Sequence, residues 1–258
     1  MQNLYVSVVI ADEVIALIGY DEPQYDSRMV RIEIVIARVS DFNGIVKLLK
    51  DAGVETWWEG VFNESKVAGF GMGNCIFEIA DEKFGAFFSG KPNSQELGIY
   101  ASAFDFFEHN IYDYAKKLDS VGISHTPCTR GVYPPEADTE GRSYEWDIFI
   151  VDTKDTPGNR AFFIEYSVPV KSLGKNLVSS SSPITLVEYV VGVPDVAAAL
   201  SQYSKLFQME PAADGTFRLD EMIFRITEGT APKAIVKSTL PQEICDKLAA
   251  AIPGLVFV

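Results

Sequence analysis

The sequence predicts an α+β protein built from repeated βαβββ units, and three observations support this class. A β-branched, alternating segment followed by apolar residues at helical spacing recurs along the 258 residues. Further extended segments follow each helical one. The composition, 47% hydrophobic and 22% charged, is that of a globular chain long enough to bury a large core.

The first unit shows this order most clearly. Residues 31–39 alternate and are rich in β-branched side chains, which is typical of a strand. Asp41 is placed to cap a helix whose apolar face carries Ile45 and Leu49, and Gly53 ends that helix. Three extended segments complete the unit, at residues 54–59, 66–71 and 74–80.

The same order returns twice. The second unit has a strand at residues 97–107 and a helix capped by Asn110. The third has a strand at residues 185–193 and a helix that begins after Pro194-Asp195. The extended segments after these helices lie at residues 123–129, 143–152 and 161–167 in the second unit, and at 216–219 and 222–227 in the third.

The two chain ends are predicted to belong together. Residues 234–258 begin a fourth unit that stops after a strand, a helix and a strand. Residues 4–10 and 14–20 predict an N-terminal β-hairpin rich in Val and Ile. We expect this hairpin to supply the missing pair of strands beside residues 255–258.

A serine-rich segment at residues 179–183 marks the expected domain boundary. The predicted domains are a first cup at residues 26–178 and a second cup at residues 183–258 together with 1–25.

Charge and cysteine usage restrict the functional class. The net charge of −14 disfavours binding to nucleic acid and to anionic membrane surfaces, because both are negatively charged. The three cysteines are far apart and form no CxxC pair, so reduced thiols are expected. The apolar N-terminal runs are too short to span a membrane and lack a basic leader. We therefore expect a cytoplasmic protein.

Several segments carry a family resemblance. Residues 185–207 (TLVEYVVGVPDVAAALSQYSKLF) resemble the opening strand and helix of glyoxalase and extradiol-dioxygenase modules. Residues 143–166 (SYEWDIFIVDTKDTPGNRAFFIEY) resemble the second half of a glyoxalase-like domain, and residues 31–42 and 73–81 its first half. The chain is thus similar to the glyoxalase-like family of the vicinal oxygen chelate superfamily, which also contains bleomycin resistance proteins and dioxygenases.

This resemblance implies two cup-shaped, mostly antiparallel sheets with helices outside, each cup formed by two units. Metal-using members hold one divalent ion in the cup through two His or Gln on opening strands and two Glu on closing strands. The chain's histidines, His109 and His125, lie at neither kind of place. The opening strands offer Glu33 or Ile34, Ala103 and Glu188, and the closing strands offer Glu78, Glu165 and Arg225. The chain therefore resembles a member of the class that lacks the imidazole ligands.

Glu78 and Glu165 are the carboxylates that the resemblance leaves in the first cup, with Asp105 as a third candidate oxygen ligand. One interpretation is a divalent hard metal such as Mg²⁺, Ca²⁺ or Mn²⁺ held by these oxygens. The other is a cup without cofactor in which the carboxylates pair with arginines, because buried charges need partners. Arg38 and Arg130 are the candidate partners. In the second cup an ion pair between Glu188 and Arg225 is expected.

Other residues are candidates for ligand contact. The resemblance implies an anion-binding role for Arg130 by a two-point contact, and a place in the pocket wall or in the core for Trp146. His125 is a candidate acid or base, or else an ordinary strand-edge histidine. Of Trp57 and Trp58, one is expected to face the core and the other the cup or solvent.

Three hypotheses for function remain open at this point. The first is metal-free binding of a small molecule, an organic anion, in the first cup, with Arg38, Asp105, His125, Arg130 and Trp146 as the ligand-binding residues. The second is a hard-metal-dependent lyase, isomerase or dioxygenase. The third is a structural or partner-binding protein whose cups are filled by side chains. Either a monomer or a homodimer fits the sequence.

Overall fold

The structure is a computed structural model that describes residues 9–10, 13–14, 30–62, 64–85, 88, 96–106, 110–133, 144–166 and 182–258. These residues contain four α-helices and three sheets, of eight, five and two strands. No helix in this part of the chain is both long enough and apolar enough to cross a bilayer. The α+β class, with repeated βαβββ units in curled sheets, is confirmed.

The N-terminal hairpin lies only partly within the described residues. β1 (Val9–Ile10) pairs antiparallel with β2 (Glu13–Val14). Within the described part of the chain these two strands form a sheet of their own. The rest of residues 4–20 lies outside the described residues, as do residues 26–29 and 167–181 at the proposed domain limits. The completion of the fourth unit by the hairpin, and the domain limits that depend on it, stay predictions.

The first unit forms as expected from its pattern. Asp41 accepts a hydrogen bond from the backbone N–H of Gly44 at 2.9 Å and so begins the helix. Gly53, with a φ of +77°, lies just past its end. The elements are β3 (Val30–Val39), α1 (Phe42–Asp51), β4 (Thr56–Phe62), β5 (Ser65–Gly71) and β6 (Ile76–Asp81).

The second unit repeats the order with one displaced strand. Its elements are β7 (Gly98–Phe106), α2 (Ile111–Ser120), β8 (Thr129–Tyr133), β9 (Tyr144–Ile150) and β10 (Ala161–Tyr166). The predicted strand at residues 123–129 is wrong, because continuous pairing starts only at Thr129 and His125 makes a single bridge to Val151. Pro127 has no backbone N–H, so it cannot donate to a strand ladder across this segment.

The eight-stranded sheet joins the two units through their opening strands. Its order is β4-β5-β6-β3-β7-β10-β9-β8, with β3 and β7 antiparallel at the centre. In each unit the opening strand pairs in parallel with the closing strand, β3 with β6 and β7 with β10. The two halves of the sheet therefore have the same strand arrangement about its centre.

The five-stranded sheet is a shortened version of the same plan. Its elements are β11 (Ile184–Val193), α3 (Val196–Phe207), β12 (Thr216–Leu219), β13 (Met222–Glu228), β14 (Lys233–Ser238), α4 (Gln242–Ala251) and β15 (Leu255–Phe257). Parallel pairing of β11 with β13, and of β14 with β15, places β13 and β15 where closing strands lie in the larger sheet. Within the described residues the third unit is thus one strand short and the fourth two.

The helix-bearing faces of the two larger sheets share one core. Phe104 on β7 contacts Phe207 of α3 at 5.1 Å and Phe224 of β13 at 6.1 Å between ring centroids. A buried hydrogen bond joins the two sheets, from the Tyr189 hydroxyl to Asn159 Oδ1 at 2.9 Å. The opposite face of the eight-stranded sheet is consequently left to form the first cup.

Candidate functional site

The first cup has its own apolar cluster, separate from the shared core. Small side chains at Ala101 and Ala103 on the central strand β7 keep the floor low. Around them lie larger buried residues from five other parts of the chain: Ile34, Ile36, Ile76, Phe84, Phe88, Phe162 and Ile164. The strand pattern thus places a concave apolar surface opposite the helices.

Two tryptophans form one wall of the cup. The pairing of β4 with β5 shifts register between Thr56 and Trp58. This β-bulge breaks the alternation, so Trp57 and Trp58 both pack against the cup cluster. The prediction that one of them faces the core and the other the cup or solvent is therefore wrong.

Glycines on β5 make room for these rings. A Cβ added to Gly69 would lie 2.4 Å from Trp58 Cε2 and Cζ2 and 2.7 Å from Cδ2, so this ring lies flat over Gly69. A Cβ added to Gly71 would lie 3.1 Å from Trp57 Nε1. Glycine is required at these places because a larger residue would displace the tryptophan wall.

Trp146 lies on the opposite wall. Its strand neighbours Ile148 and Ile150 also pack against the cup cluster, so Trp146 has the cup-facing alternation of β9. A Cβ added to Gly131 on β8 would lie 2.4 Å from its indole Nε1. The structure thus places Trp146 in the wall of the cup, which is one of its two expected places.

A buried charged group lies at the N-terminal end of β3. The Arg31 guanidinium is 2.8 Å from Glu33 Oε2 and 2.8 Å from Asp105 Oδ2. Arg31 pairs with Asp105 across the sheet, and a bulge after Ile32 brings Glu33 to the same side. We refer to Glu33, Glu78 and Asp105 as the carboxylate cluster.

Glu78 lies in the floor of the cup on β6. Its strand neighbours Ile76 and Ala80 face the cup, so Glu78 faces it too. Across the sheet it is paired with Gly69, which lies directly beneath the Trp58 ring. Desolvation raises the pKa of the Glu78 carboxyl to about 8.

Burial also raises the pKa values of the other two acids of the carboxylate cluster and of a neighbouring tyrosine. Desolvation raises the pKa of Glu33 to about 7 against the opposing charge of Arg31, and it raises the pKa of Asp105. The pKa of Tyr166, on β10, is raised well above its usual value by burial and by the nearby charges of the whole carboxylate cluster. The tyrosine therefore remains protonated beside the acids and is available as a hydrogen-bond donor.

Some polar atoms of the cup have no partner among the described residues. Glu33 Oε1 and Trp57 Nε1 are buried without a hydrogen bond there. A buried polar atom of this kind is costly unless water or a ligand satisfies it. The cup therefore offers an acceptor and a donor to whatever occupies it.

Glu165 does not lie in the cup. It alternates with Ile164 and Tyr166, so its side chain is on the helix side of the sheet. There its Oε2 accepts a hydrogen bond from the backbone N–H of Ile111, the first residue of α2, at 2.8 Å. The carboxylate thus caps the helix N-terminus, where the macrodipole favours negative charge.

The pair of carboxylates expected to hold a metal, Glu78 and Glu165, therefore lies on opposite faces of one sheet. Among the described residues no group of three or more His, Cys, Asp or Glu side chains is arranged to hold a metal ion. Arg31 also binds the two other cup acids directly, which places a cation where a metal would lie. The residues present do not fit a divalent metal in this cup.

Both arginines expected to bind a ligand already make other contacts. Arg38 is fully buried at the far end of the cup, where its guanidinium donates to the backbone carbonyls of Glu96, at 3.1 Å, and Glu82. It also lies 4.7 Å from the centroid of the Tyr100 ring. Arg38 thus has a structural role at the end of β3.

Arg130 and His125 belong to the helix side of the sheet. Arg130 is 57% exposed and lies 3.1 Å from Asp147, a neighbour of the core residue Phe149 in the alternation of β9. The His125 ring lies against Phe149 at 4.8 Å, and its Nε2 is 3.1 Å from the carbonyl of Ala115. The sheet separates both residues from the cup.

The open face of the five-stranded sheet carries the expected ion pair. Arg225 Nε contacts Glu188 Oε1, and Arg225 Nη1 lies 3.7 Å from Asp214 Oδ2. The predicted Glu188–Arg225 pair is confirmed. Arg225 thus supplies the ion-pair partner of Glu188, the acidic residue of the opening strand β11.

Sequence reasoning missed Arg31 and Tyr166. The signal for Arg31 was present, because Arg31 and Glu33 are charges two residues apart in an otherwise apolar strand. The signal for Tyr166 was the alternation that it shares with Phe162 and Ile164. The contacts with Asp105 carried no local signal, because that residue is 74 positions from Arg31.

Comparison with known proteins gives a shared fold. No family model and no curated protein matches the sequence. The crystal structure of a hypothetical protein from Staphylococcus aureus matches with a TM-score of 0.65 at 13% identity, over 81% of this chain and 92% of that chain. Methylmalonyl-CoA epimerase from Streptomyces coelicolor matches with a TM-score of 0.41 at 16% identity, over 53% of this chain and 96% of that chain. Methylmalonyl-CoA epimerase from Mycobacterium tuberculosis matches with a TM-score of 0.39 at 13% identity, over 55% of this chain and 91% of that chain. The first of these matches establishes the fold.

Proposed function

We propose that this chain is a vicinal oxygen chelate protein that binds a small organic molecule in its first cup without a metal. The observation that carries the proposal is Glu78, a carboxyl group in the floor of an apolar cup beside Gly69, which the Trp58 ring covers, with no ion-pair or hydrogen-bond partner among the described residues. An apolar concavity with a few convergent polar groups is the usual form of a small-molecule site.

The charge of the cup changes the expected ligand. Arg38 and Arg130, the residues that favoured an organic anion, are engaged elsewhere. Within the described part of the cup Arg31 contacts Glu33 and Asp105, whereas Arg38 at the far end donates to backbone carbonyls. The carboxylate cluster opposes an anionic ligand and favours a neutral or cationic one.

A cup closed by its own side chains is the second candidate. The apolar side chains that face the cup are buried, with Phe162 and Ile164 each 5% exposed. This burial favours a structural role, whereas the unpaired polar atoms Glu33 Oε1 and Trp57 Nε1 favour a ligand. No feature of the described residues favours the metal-dependent enzyme.

Binding of a fragment library that contains cations, neutral molecules and anions tests the proposal, with protein-observed NMR as the readout. Ala103→Leu raises the floor of the cup, and Ala213→Leu, at an exposed alanine, is the matched control. We expect fragments that shift cup resonances to lose affinity in Ala103→Leu alone. If no fragment binds, or if Ala103→Leu binds every fragment as the wild type does, the cup is structural. Glu78→Gln, which changes no volume, serves if Ala103→Leu unfolds the protein.

A further inference from the structure

We infer that the ligand of the first cup carries a cationic nitrogen, which lies between the Glu78 carboxylate and the Trp58 ring. The inference rests on the proposed function, because it names the chemical class of the ligand of that same site. Burial of charge, unsatisfied hydrogen-bonding atoms and the placement of the tryptophans each support it.

The described acids of the cup outnumber the arginine that contacts them. Arg31 is 2.8 Å from both Glu33 and Asp105, so one guanidinium serves two carboxylates. Glu78 has no cation within ion-pair distance among the described residues. Buried charges are normally paired. Without such a partner the Glu78 carboxyl keeps its proton, and a ligand cation beside it would favour the ionised carboxylate.

The aromatic wall is placed to contact such a cation. Gly69 is the cross-strand partner of Glu78, and Trp58 lies flat over Gly69. Side chains of directly opposed residues are neighbours on one face of a sheet, so Glu78 and the Trp58 ring that covers Gly69 are neighbours on the cup face. A cation over a tryptophan face is stabilised by the ring quadrupole, more so when it is desolvated.

A second contact fixes how the ligand would be oriented. The Trp57 indole nitrogen lies above Gly71, which pairs with Ile76, two residues before Glu78. The buried N–H there has no acceptor among the described residues. Residues two apart on one strand are separated by roughly 7 Å. We therefore expect the ligand to carry a carbonyl, ether or hydroxyl oxygen at about that distance from its nitrogen.

The first cup has features that an acidic protein surface would lack. The carboxylates are in the interior of the sheet's concave face, and Glu33 is 1% exposed. Its Oε1 and the Trp57 N–H have no hydrogen-bond partner on that same face among the described residues. A solvated cluster of acids would satisfy its oxygens with water and would need no counter-ion in a fixed place.

A matched set of three probes tests the inference. 4-Phenylbutylamine, 4-phenylbutanol and 4-phenylbutyrate share one carbon skeleton and differ in the charge at its end. Calorimetry at pH 7.5 with the wild type, Glu78→Gln and Glu188→Gln gives the affinities. Glu188→Gln is the matched control because Glu188 pairs with Arg225 on the other sheet.

We expect the amine to bind the wild type at least tenfold more tightly than the alcohol, and the acid to bind most weakly. Glu78→Gln should weaken the amine at least tenfold, change the alcohol less than threefold and leave the fold intact. Glu188→Gln should change neither. An amine that binds no better than the alcohol, which includes binding by neither, overturns the inference. A Glu78→Gln variant that weakens amine and alcohol equally also overturns it.

Failure of the inference and failure of the proposed function give different results. If neutral or anionic fragments bind the cup and lose affinity in Ala103→Leu, the cup binds small molecules and only the cationic class is wrong. If no fragment of any charge binds, the proposed function fails together with the inference.

Discussion

Glu78→Gln provides a direct test of the buried charge in the first cup, because it removes the ionisable proton and keeps the volume of the side chain. Desolvation raises the pKa of Glu78 from its ordinary 4.5 to about 8. The folded protein therefore binds a proton that the unfolded chain releases at a lower pH. By linkage, the contribution of this carboxyl to stability is complete below pH 4.5 and is lost as the pH rises through 8.

The size of the effect follows from the same pKa change. A rise from 4.5 to about 8 corresponds to about 5 kcal/mol of lost stability at high pH if the carboxyl were wholly desolvated. The side chain keeps some contact with solvent, so about 2–3 kcal/mol is the expected difference. At pH 5 Glu78 is protonated and neutral, so the glutamine variant should match the wild type within about 1 kcal/mol.

Denaturant unfolding of both proteins from pH 5 to pH 9 measures this difference. We expect the wild type to lose stability between pH 5 and pH 8 more steeply than Glu78→Gln, and the variant to be the more stable protein at pH 9. Glu33 contributes to the slope of both proteins, so the difference between them isolates Glu78. Glu210→Gln, at an exposed carboxylate, is the control. Parallel profiles for wild type and Glu78→Gln would refute a raised pKa at this position.

Three further substitutions test the placement of other residues. Glu165→Ala should lower the free energy of unfolding by about 1 kcal/mol, because the carboxylate caps α2. Fragment binding to the cup should be unchanged, and a loss of binding would place Glu165 in the cup. Gly69→Ala should displace the Trp58 ring, alter its fluorescence and cost about 1–3 kcal/mol, and an unchanged spectrum would contradict the close approach. Tyr189→Phe removes the hydroxyl that binds Asn159 between the two sheets and should cost about 1–2 kcal/mol in denaturant unfolding; a neutral effect would show that the hydrogen bond contributes no net stability.

Most of the fold could be predicted from the sequence. Hydrophobic periodicity and capping residues are local signals, so the helices and the strands of all four units lie where their patterns place them. The displaced strand β8 is the main exception, and its cause, Pro127, is also local. Closure of the fourth unit depends on long-range pairing, for which the pattern gives no register.

The candidate site was predicted less well, because of the β-bulges and because the family resemblance misplaced one carboxylate. Alternation predicts the face of each residue on a regular strand, as it does for Glu78 and Trp146. The register shifts near Glu33 and Trp57 change the face locally, and nothing in the residue types announces them. The family resemblance placed Glu165 in the cup. Glu165 is adjacent on the strand to the cup-facing Ile164, so its side chain lies on the opposite face of the sheet.

The repeated units, the acidic character of the chain and the lack of imidazoles at the places where the resemblance implies metal ligands are already present in the amino-acid sequence. Which charges meet depends on the folded chain, because Arg31 reaches Asp105 across 74 positions and Arg38 is held by backbone carbonyls. The energy of a buried charge depends on its solvent exposure and on neighbours brought together by folding. A glutamate in the sequence therefore becomes the desolvated Glu78 of an apolar cup, or the helix cap Glu165, only when the sheet is formed.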